Sequence, residues 1–283
     1  MFKDEYAKIY KNIEPEIKLV KEELVKKINI EKGLQDKLFE LLQASSKHIR
    51  TVVSFLYLKA LGLEINEKQI IYQSAIELVH NASLIHDDII DESKTRRTIE
   101  TINHEFGNKL AVITGDFLLS VALKKIRTLK QSEIIDMFAQ TLDDMCQGEI
   151  QQQFSKFKIS TIEEYIKKTE LKTAKLFETA ICGSLIIAQS DIQAKNFANY
   201  FGIAFQIRDD LINIKTSKTD IKDGIYTAPV ILSSNTENFE TGIEKTEILL
   251  NNYIDKTKKE LSVLPENNYK NTLINLVELL KYE

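Results

Sequence analysis

The 283-residue sequence contains three prolines, Pro15, Pro229 and Pro265, so nothing between Glu16 and Ala228 is obliged to break a helix. Glycine is nearly as scarce: 9 Gly and 3 Pro are roughly 3% and 1% of the chain, against about 7% and 5% in ordinary proteins. A sheet protein of this length needs many tight turns and the residues that make them. Long helices with few, short connections are the expected alternative. With 43% hydrophobic residues the chain can bury a large core, which sets aside disorder and collagen-like structure. No linker-like tract or internal repeat divides it, so residues 1–283 are read as one domain.

Periodicity gives the helices. After Pro15, which a first helical turn tolerates, Ile17, Val20, Leu24 and Ile28 recur at helical intervals and predict a helix over Glu16 to Ile28. Gly33 interrupts the pattern. Further helices are predicted from Leu34 to Ala60 with a stop at Gly62, from Glu67 to Asp91, after Gly107 through LAVITGDFLLSVAL, and from Glu133 to Phe154. The stretch TIEE, Thr161 to Glu164, is a capping box that opens a helical run to about Ser190. A helix from Ile192 to Lys215, a loop from Thr216 to Pro229, and two helices, Ser234 to Leu264 and Asn267 to Tyr282, complete the reading. No alternating run of four or more residues reads as a strand. The predicted fold class is all-α, a bundle of long, mostly antiparallel helices around a central apolar cleft.

Charge narrows the partners. The 38 basic and 42 acidic residues are interspersed and leave a net charge of −4, without the basic footprint of a nucleic-acid binder. Cys146 and Cys182 form no CxxC pair and fit free thiols in a reducing compartment. MFKDEYAKIYKN lacks an apolar signal core, and no apolar run approaches the ~18 residues of a membrane span. A cytoplasmic protein without stable membrane insertion is expected.

Two acidic clusters carry the chemistry. In LIHDDIID, Asp87, Asp88 and Asp91 stand at i, i+1 and i+4, with Asp87 and Asp91 only about 40° apart on a helix. A solvated helical face would explain any one pair of aspartates. Leu84, Ile85, Ile89 and Ile90 argue instead for a cleft position, where crowded carboxylates need a cation. Oxygen ligands with no nearby thiolate suit Mg²⁺, which binds through a few carboxylates plus substrate phosphates. QIRDDLIN repeats the geometry with Asp209, Asp210 and Asn213, and Gln206 lies one turn earlier. Two such helices facing each other could hold a cluster of divalent ions. A dimetal oxygen-activating site would want Glu and a Glu-x-x-His pattern, which are absent.

Taken in order, SLIHDDIIDESKTRR, FGNKLAVITGDFLLS and FGIAFQIRDDL resemble the trans-isoprenyl diphosphate synthases, or polyprenyl synthetases, over nearly the whole chain. The resemblance implies the isoprenoid synthase fold and a head-to-tail condensation of an allylic diphosphate with isopentenyl diphosphate. It implies three Mg²⁺ ions held by Asp87, Asp91 and Asp209, with Asp88 and Asp210 in support. By the same resemblance Lys47, Arg50 and His80 bind isopentenyl diphosphate, which arrives without metal; Arg96 reaches the allylic diphosphate and Arg97 the isopentenyl diphosphate. Lys172 and Thr173 match the family's Lys-Thr pair, and Gln206 its allylic-side glutamine. Lys47 and Arg50, at i and i+3, are expected on one helical side. The family is usually homodimeric. For any one of these bases the plain alternative is a surface charge, and for His80 a satisfied core histidine.

Several positions depart from the family pattern. His48 replaces an arginine, Ser45 and Ser46 a Gly-Gly pair, Asn213 the last aspartate of the second motif, and Ile225 a lysine. The loop after Asn213 is short, leaving Lys215 or Lys218 as the phosphate-contacting lysine. In the family that the chain resembles, the residue five before the first aspartate floors the apolar product pocket; here it is small Ala82, with Val79 one turn earlier, which implies elongation past C15, to C20 or longer, until side chains such as Phe117 or Leu118 obstruct the tube. The competing readings are a terpene cyclase of the same fold, and a non-catalytic or partner-dependent subunit of a heteromeric synthase.

Overall fold

The protein was analysed as a computed structural model that describes residues 2–44, 46–233 and 239–282. Among these residues it is helical almost throughout, the exception being a two-stranded hairpin, β1 (Thr95–Arg96) and β2 (Ile99–Glu100). The chain opens with α1 (Phe2–Lys11), a short amphipathic helix not anticipated from the periodicity, and α2 (Glu14–Leu24), which carries Pro15 in its first turn. Next come α3 (Lys32–Gln43), α4 (Ile49–Ala60) and α5 (Glu67–Ile90).

The single helix expected from Leu34 to Ala60 is thus two. No breaker residue marks the division, because its cause is tertiary. Leu38 and Leu42 of α3 pack into one apolar cluster, whereas α4 is buried at every position from Ile49 to Leu58 within another. Between them His48 takes a left-handed conformation, φ 47°, and directs its ring to Glu77 on α5. Lys47 therefore precedes α4 instead of sharing a helical side with Arg50. Ser45 lies outside the described residues, as does the expected helix start at Ser234.

Glu67 to Asp91 forms as expected. Asn66 caps α5: its side chain accepts from Lys68 N at 2.9 Å, and Gln69 returns the bond to Asn66 N at 3.0 Å. After the hairpin come α6 (Ile102–Phe106), α7 (Asn108–Thr128) and α8 (Ser132–Phe154). The TIEE box caps α9 (Ile162–Thr169), with Thr161 Oγ1 accepting from Glu164 N and Glu164 accepting from Thr161 N. The run to Ser190 is interrupted by a π turn, Glu170–Ala174, before α10 (Lys175–Ile187). α11 (Lys195–Lys215) follows, then α12 (Thr219–Lys222) within the expected loop and α13 (Ala228–Ser233) starting at its end, and finally α14 (Glu240–Glu260) and α15 (Asn268–Glu278).

Helices α4, α5, α8 and α11 pack around α10, and α7 covers the other side of α5. A buried polar network ties the centre. Ser54 donates to Ala180 O at 2.9 Å, Gln73 Nε2 to Ser54, Ser184 and Ala180 O, and Tyr72 to Thr179 O at 2.7 Å. Gly183 is required beneath Tyr72, since a Cβ there would overlap the phenol oxygen. These bonds fix the rotation of α5, and with it the direction of its acids, while Gln73 Oε1 has no hydrogen-bond partner among the described residues. Among the described residues no helix is long and apolar enough to cross a membrane.

Candidate active site

The central cleft has a volume of about 800 Å³ and is walled by α4, α5, α7, α8, the π turn and α11. Its apolar wall includes Val79, Leu119, Leu142 and Met145. Its charged groups are Lys47, Arg50, Glu77, Asp87, Arg97, Glu149, Lys172 and Asp209, with His48, His80, Thr173 and Gln206 beside them. Residues separated by more than half the sequence, Ser46 and Asp209, thus share one cavity.

Asp87 and Asp91 stand in the last turn and at the C-cap of α5, where the helix dipole already disfavours negative charge. Burial, and then the facing Glu149 and Asp91, push the Asp87 carboxyl up to about 6. Asp91 lies exposed at the rim and is also raised, by burial and by Glu149 and Asp223, with Lys172 opposing. Asp88 turns away from the cleft. It is buried and accepts from Arg96 Nε at 2.8 Å and from the terminal guanidinium nitrogen at 2.7 Å. The Arg96 fork is thereby spent on anchoring the hairpin, and Arg97, at φ 52° on the turn, is the one of the pair that lines the cleft. Two of the five Arg96 guanidinium N–H donors are thus engaged, and the pair is electrostatically favoured, since an unpaired buried Asp88 would be costly.

On the opposite wall, Asp209 lines the cleft and accepts from Arg208 at 3.1 Å. Its carboxyl is raised by burial, against the lowering pull of Arg208 and Lys47. Asp210 is not on the cleft surface. It is buried, accepts from Tyr165 Oη at 2.6 Å and from Gln206 Nε2 at 2.8 Å, and is pushed by burial to about 7. Gln206 in turn accepts from Thr173 Oγ1 at 2.9 Å. The chain Thr173, Gln206, Asp210, Tyr165 fixes the Gln206 amide at the cleft wall from both sides.

Thr173 and Lys172 reach this position because of the π turn, the type of local helix widening that often marks functional sites. The turn approaches α8 at Gly148, where a Cβ would stand 2.8 Å from Lys172 N. Lys172 forms an ion pair with Glu149.

The basic end of the cleft is desolvated. Arg50 is buried, stacks 4.8 Å over the Phe177 ring and is lowered by burial to about 10. His80 is pushed well below its ordinary value by burial and then by Arg50. Glu77 accepts from Thr51 Oγ1 at 2.8 Å and pairs with His48 Nδ1 at 2.9 Å. Burial alone would raise its carboxyl, but His48 and Thr51 hold it down at about 2.

The short loop resolves two of the departures. Asn213 Nδ2 donates to Thr219 Oγ1 at 2.7 Å and to Asp220 Oδ1 at 3.2 Å, while its oxygen faces Asp220 N, so both ends of the amide secure the loop. Lys215 pairs with Glu247 at 3.0 Å and Lys218 lies over the Phe239 ring, and neither lines the cleft. Asp220 takes a place beside the rim, raised by burial and by Asp223 to about 6. Sequence reading did not single out Glu77, Glu149, Tyr165 or Asp220, whose partners lie on other elements. Ala82 is fully buried between α5 and its neighbours and does not line the cleft; Val79 and Ser83 do.

Among the described residues no three acidic, imidazole or thiol groups converge as a preformed metal cage would. The donor set still fits a hard divalent cation: carboxylates of two helices that line the same cleft, both raised, Asp87 by burial and the neighbouring Glu149 and Asp91, Asp209 by burial. Mg²⁺ is commonly held by one or two carboxylates with water and substrate phosphate completing its shell.

Known proteins resemble this chain in sequence and in fold. The family model described as "Polyprenyl synthetase" matches residues 31–266. A decaprenyl-diphosphate synthase of Dictyostelium discoideum is 30% identical over 86% of this chain and 60% of its own length. A prenyl transferase of Cyanophora paradoxa is 35% identical, the match taking in 57% of this chain and 54% of that protein. The chain thus spans little more than half the length of these two curated relatives. An octaprenyl diphosphate synthase of Haemophilus influenzae is 29% identical over 96% of this chain and 95% of that one. Among solved structures, a heptaprenyl diphosphate synthase from Staphylococcus aureus superposes with a TM-score of 0.87 at 25% identity, covering 95% and 98% of the two chains. A geranylgeranyl pyrophosphate synthetase from Geoglobus acetivorans gives 0.84 at 27% identity over 100% and 99%. With the isoprenoid synthase fold, facing aspartate-bearing helices and a family match over most of its length, the chain belongs to the polyprenyl synthetase family.

Proposed function

We propose that this protein condenses isopentenyl diphosphate with an allylic prenyl diphosphate and releases a trans-polyprenyl diphosphate of C20 or longer. The observation that carries the reading is one cleft that brings carboxylates of α5 and α11, Asp87 and Asp209, together with Lys47, Arg50, His80 and Arg97. A cation-requiring anion and a cation-free anion are thus received side by side. Asp87, Asp91 and Asp209 would hold Mg²⁺, three ions per site with substrate bound. The ions supply charge neutralisation of the departing diphosphate, as a Lewis acid does.

The protein's own residues do the rest. Lys172, Thr173 and Gln206 face the allylic diphosphate from the π turn and α11, and the Asp210 and Tyr165 bonds keep Gln206 from rotating. Lys47, Arg50 and Arg97 bind the second diphosphate as charged donors, with neutral His80 beside them. The allylic C–O bond breaks, the double bond of isopentenyl diphosphate supplies the electrons of the new C–C bond, and a proton leaves, to the released diphosphate. Val79, Leu119, Leu142 and Met145 keep water from the electron-deficient carbon. Asp88 and Arg96 act by holding the hairpin that carries Arg97.

We further propose one domain over residues 1–283, a cytoplasmic setting in keeping with free Cys146 and Cys182, and a homodimer. Exposed Val112, Ile113 and Leu123 along one side of α7 support the last.

The deciding experiment supplies Mg²⁺, isopentenyl diphosphate and labelled C5, C10, C15 and C20 allylic primers to the purified protein. Extension to C20 or beyond is expected. Folded protein that extends none of them overturns the reading. Hydrocarbon from an allylic substrate alone indicates a cyclase, and extension only with an added partner chain indicates a heteromeric subunit.

The wall position of Ser83 moves the expected control of product length. Ser83→Phe should shift the product ladder to shorter chains, because the ring would enter the cleft. Ala82→Phe should instead overpack the interface of α5, at a cost of about 1–3 kcal/mol read as a lower melting temperature. An unchanged ladder in Ser83→Phe would place the stop elsewhere.

A further inference from the structure

One aromatic ring outside the cleft touches two of the cations that serve it. Phe2 of α1 is 3% exposed. Lys47 Nζ stands 4.6 Å from its ring centroid and the Arg208 guanidinium carbon 4.1 Å. Lys47 lines the basic end of the cleft; Arg208 is buried and donates to Asp209, on the acidic wall. Arg208 Nε also donates to Tyr282 O at 2.8 Å. The second aromatic residue of α1, Tyr6, stacks on Phe2 at 5.7 Å with an interplanar angle of 8° and donates to Lys47 O at 2.6 Å.

Two cations crowded together and partly stripped of water repel each other, and here neither is held by helix geometry alone. Lys47 lies in the irregular segment before α4, so its backbone is fixed by Tyr6 and its ammonium by the ring face. The negative face of an aromatic ring offsets lost hydration and holds a cation without neutralising it. A carboxylate in the same place would compete with the incoming diphosphate.

Resting on the function proposed above, we infer that Phe2 is a positioning residue that serves two groups of the site at once: its ring holds Lys47 ready for the metal-free diphosphate and steadies Arg208 against Asp209. An apolar side chain of similar size should preserve the fold and lose this effect.

Phe2→Leu is expected to melt within a few degrees of the parent yet raise KM for isopentenyl diphosphate about five- to tenfold, with a smaller change in kcat. Phe2→Trp should restore KM. Because the chain has no tryptophan, this variant also carries a single indole, whose emission should change when isopentenyl diphosphate is added without metal and draws Lys47 away. Parental KM in Phe2→Leu overturns the proposal, as does indole emission that ignores the ligand. Should Phe2→Leu fail to fold, the emission of Phe2→Trp decides. Calorimetric binding of isopentenyl diphosphate separates the two levels. Failure of the parent to bind it overturns the functional reading and this inference with it, whereas equal binding by parent and Phe2→Leu overturns only the role of Phe2.

Discussion

Asp87→Asn is expected to lower the elongation rate by about 10³-fold while making the metal-free protein more stable. The two effects have one cause. Asp87 is raised from 3.8 to about 6 because burial and neighbouring Glu149 and Asp91 disfavour its charge. For a carboxyl whose folded-state pKa exceeds its unfolded value, the native state binds the proton more tightly, so charging destabilises the fold as pH rises. The penalty is absent below about 4, grows through the interval up to about 6, and is fully present above it. An amide of the same shape never incurs it. In EDTA at pH 8 the variant should therefore gain about 1–2 kcal/mol, or about 2–4 °C in melting temperature, and the gain should fade toward pH 4.5. On the proposed function, the same charge that burial disfavours would hold Mg²⁺, and its removal accounts for the expected loss in rate. A variant that melts below the parent at pH 8, or that retains more than a tenth of the rate, would refute this account.

The same distinction between local and distant causes separates what could be read in the sequence from what could not. The acidic motifs were legible because an uninterrupted helix turns the i, i+4 spacing of Asp87 and Asp91 directly into a shared face, and Asn66 and Thr161 cap their helices with residues three positions on. The scarcity of proline predicted these helices but said nothing about breaks made without proline. The division at His48 follows from a pairing with Glu77 across to α5, and the π turn at Lys172 from close packing against Gly148. Neither partner is near in sequence. Asp88 and Asp210 carry the same letters as their neighbours, yet point into Arg96 and Tyr165 instead of the cleft. Adjacent aspartates differ by about 100° around a helix, so only one of each pair can face the cleft squarely. The motif marks the wall, and packing decides which acid belongs to it.

Arg50→Met is expected to raise KM for isopentenyl diphosphate about 100-fold and leave the fold intact. Arg50 is buried, lowered by that burial to about 10, and its Nε has no hydrogen-bond partner among the described residues. A guanidinium so placed is held by the Phe177 face and by the fields of Glu77 and Asp209, with donor capacity left for a ligand. Removing one member of a buried ion pair is normally destabilising because the other is left bare. Here Glu77 keeps His48 and Thr51, and methionine fills the volume against Phe177 without a desolvation cost. The melting temperature should stay at or above the parent's. Arg50→Lys, which keeps the charge and loses the fork, should fall between, at about tenfold. The melting temperature distinguishes loss of the guanidinium from a general distortion: a distorted site would lower it together with the affinity, whereas loss of the phosphate donor alone does not lower it. A KM within threefold of the parent at pH 8 would mean that the second diphosphate does not sit against Arg50.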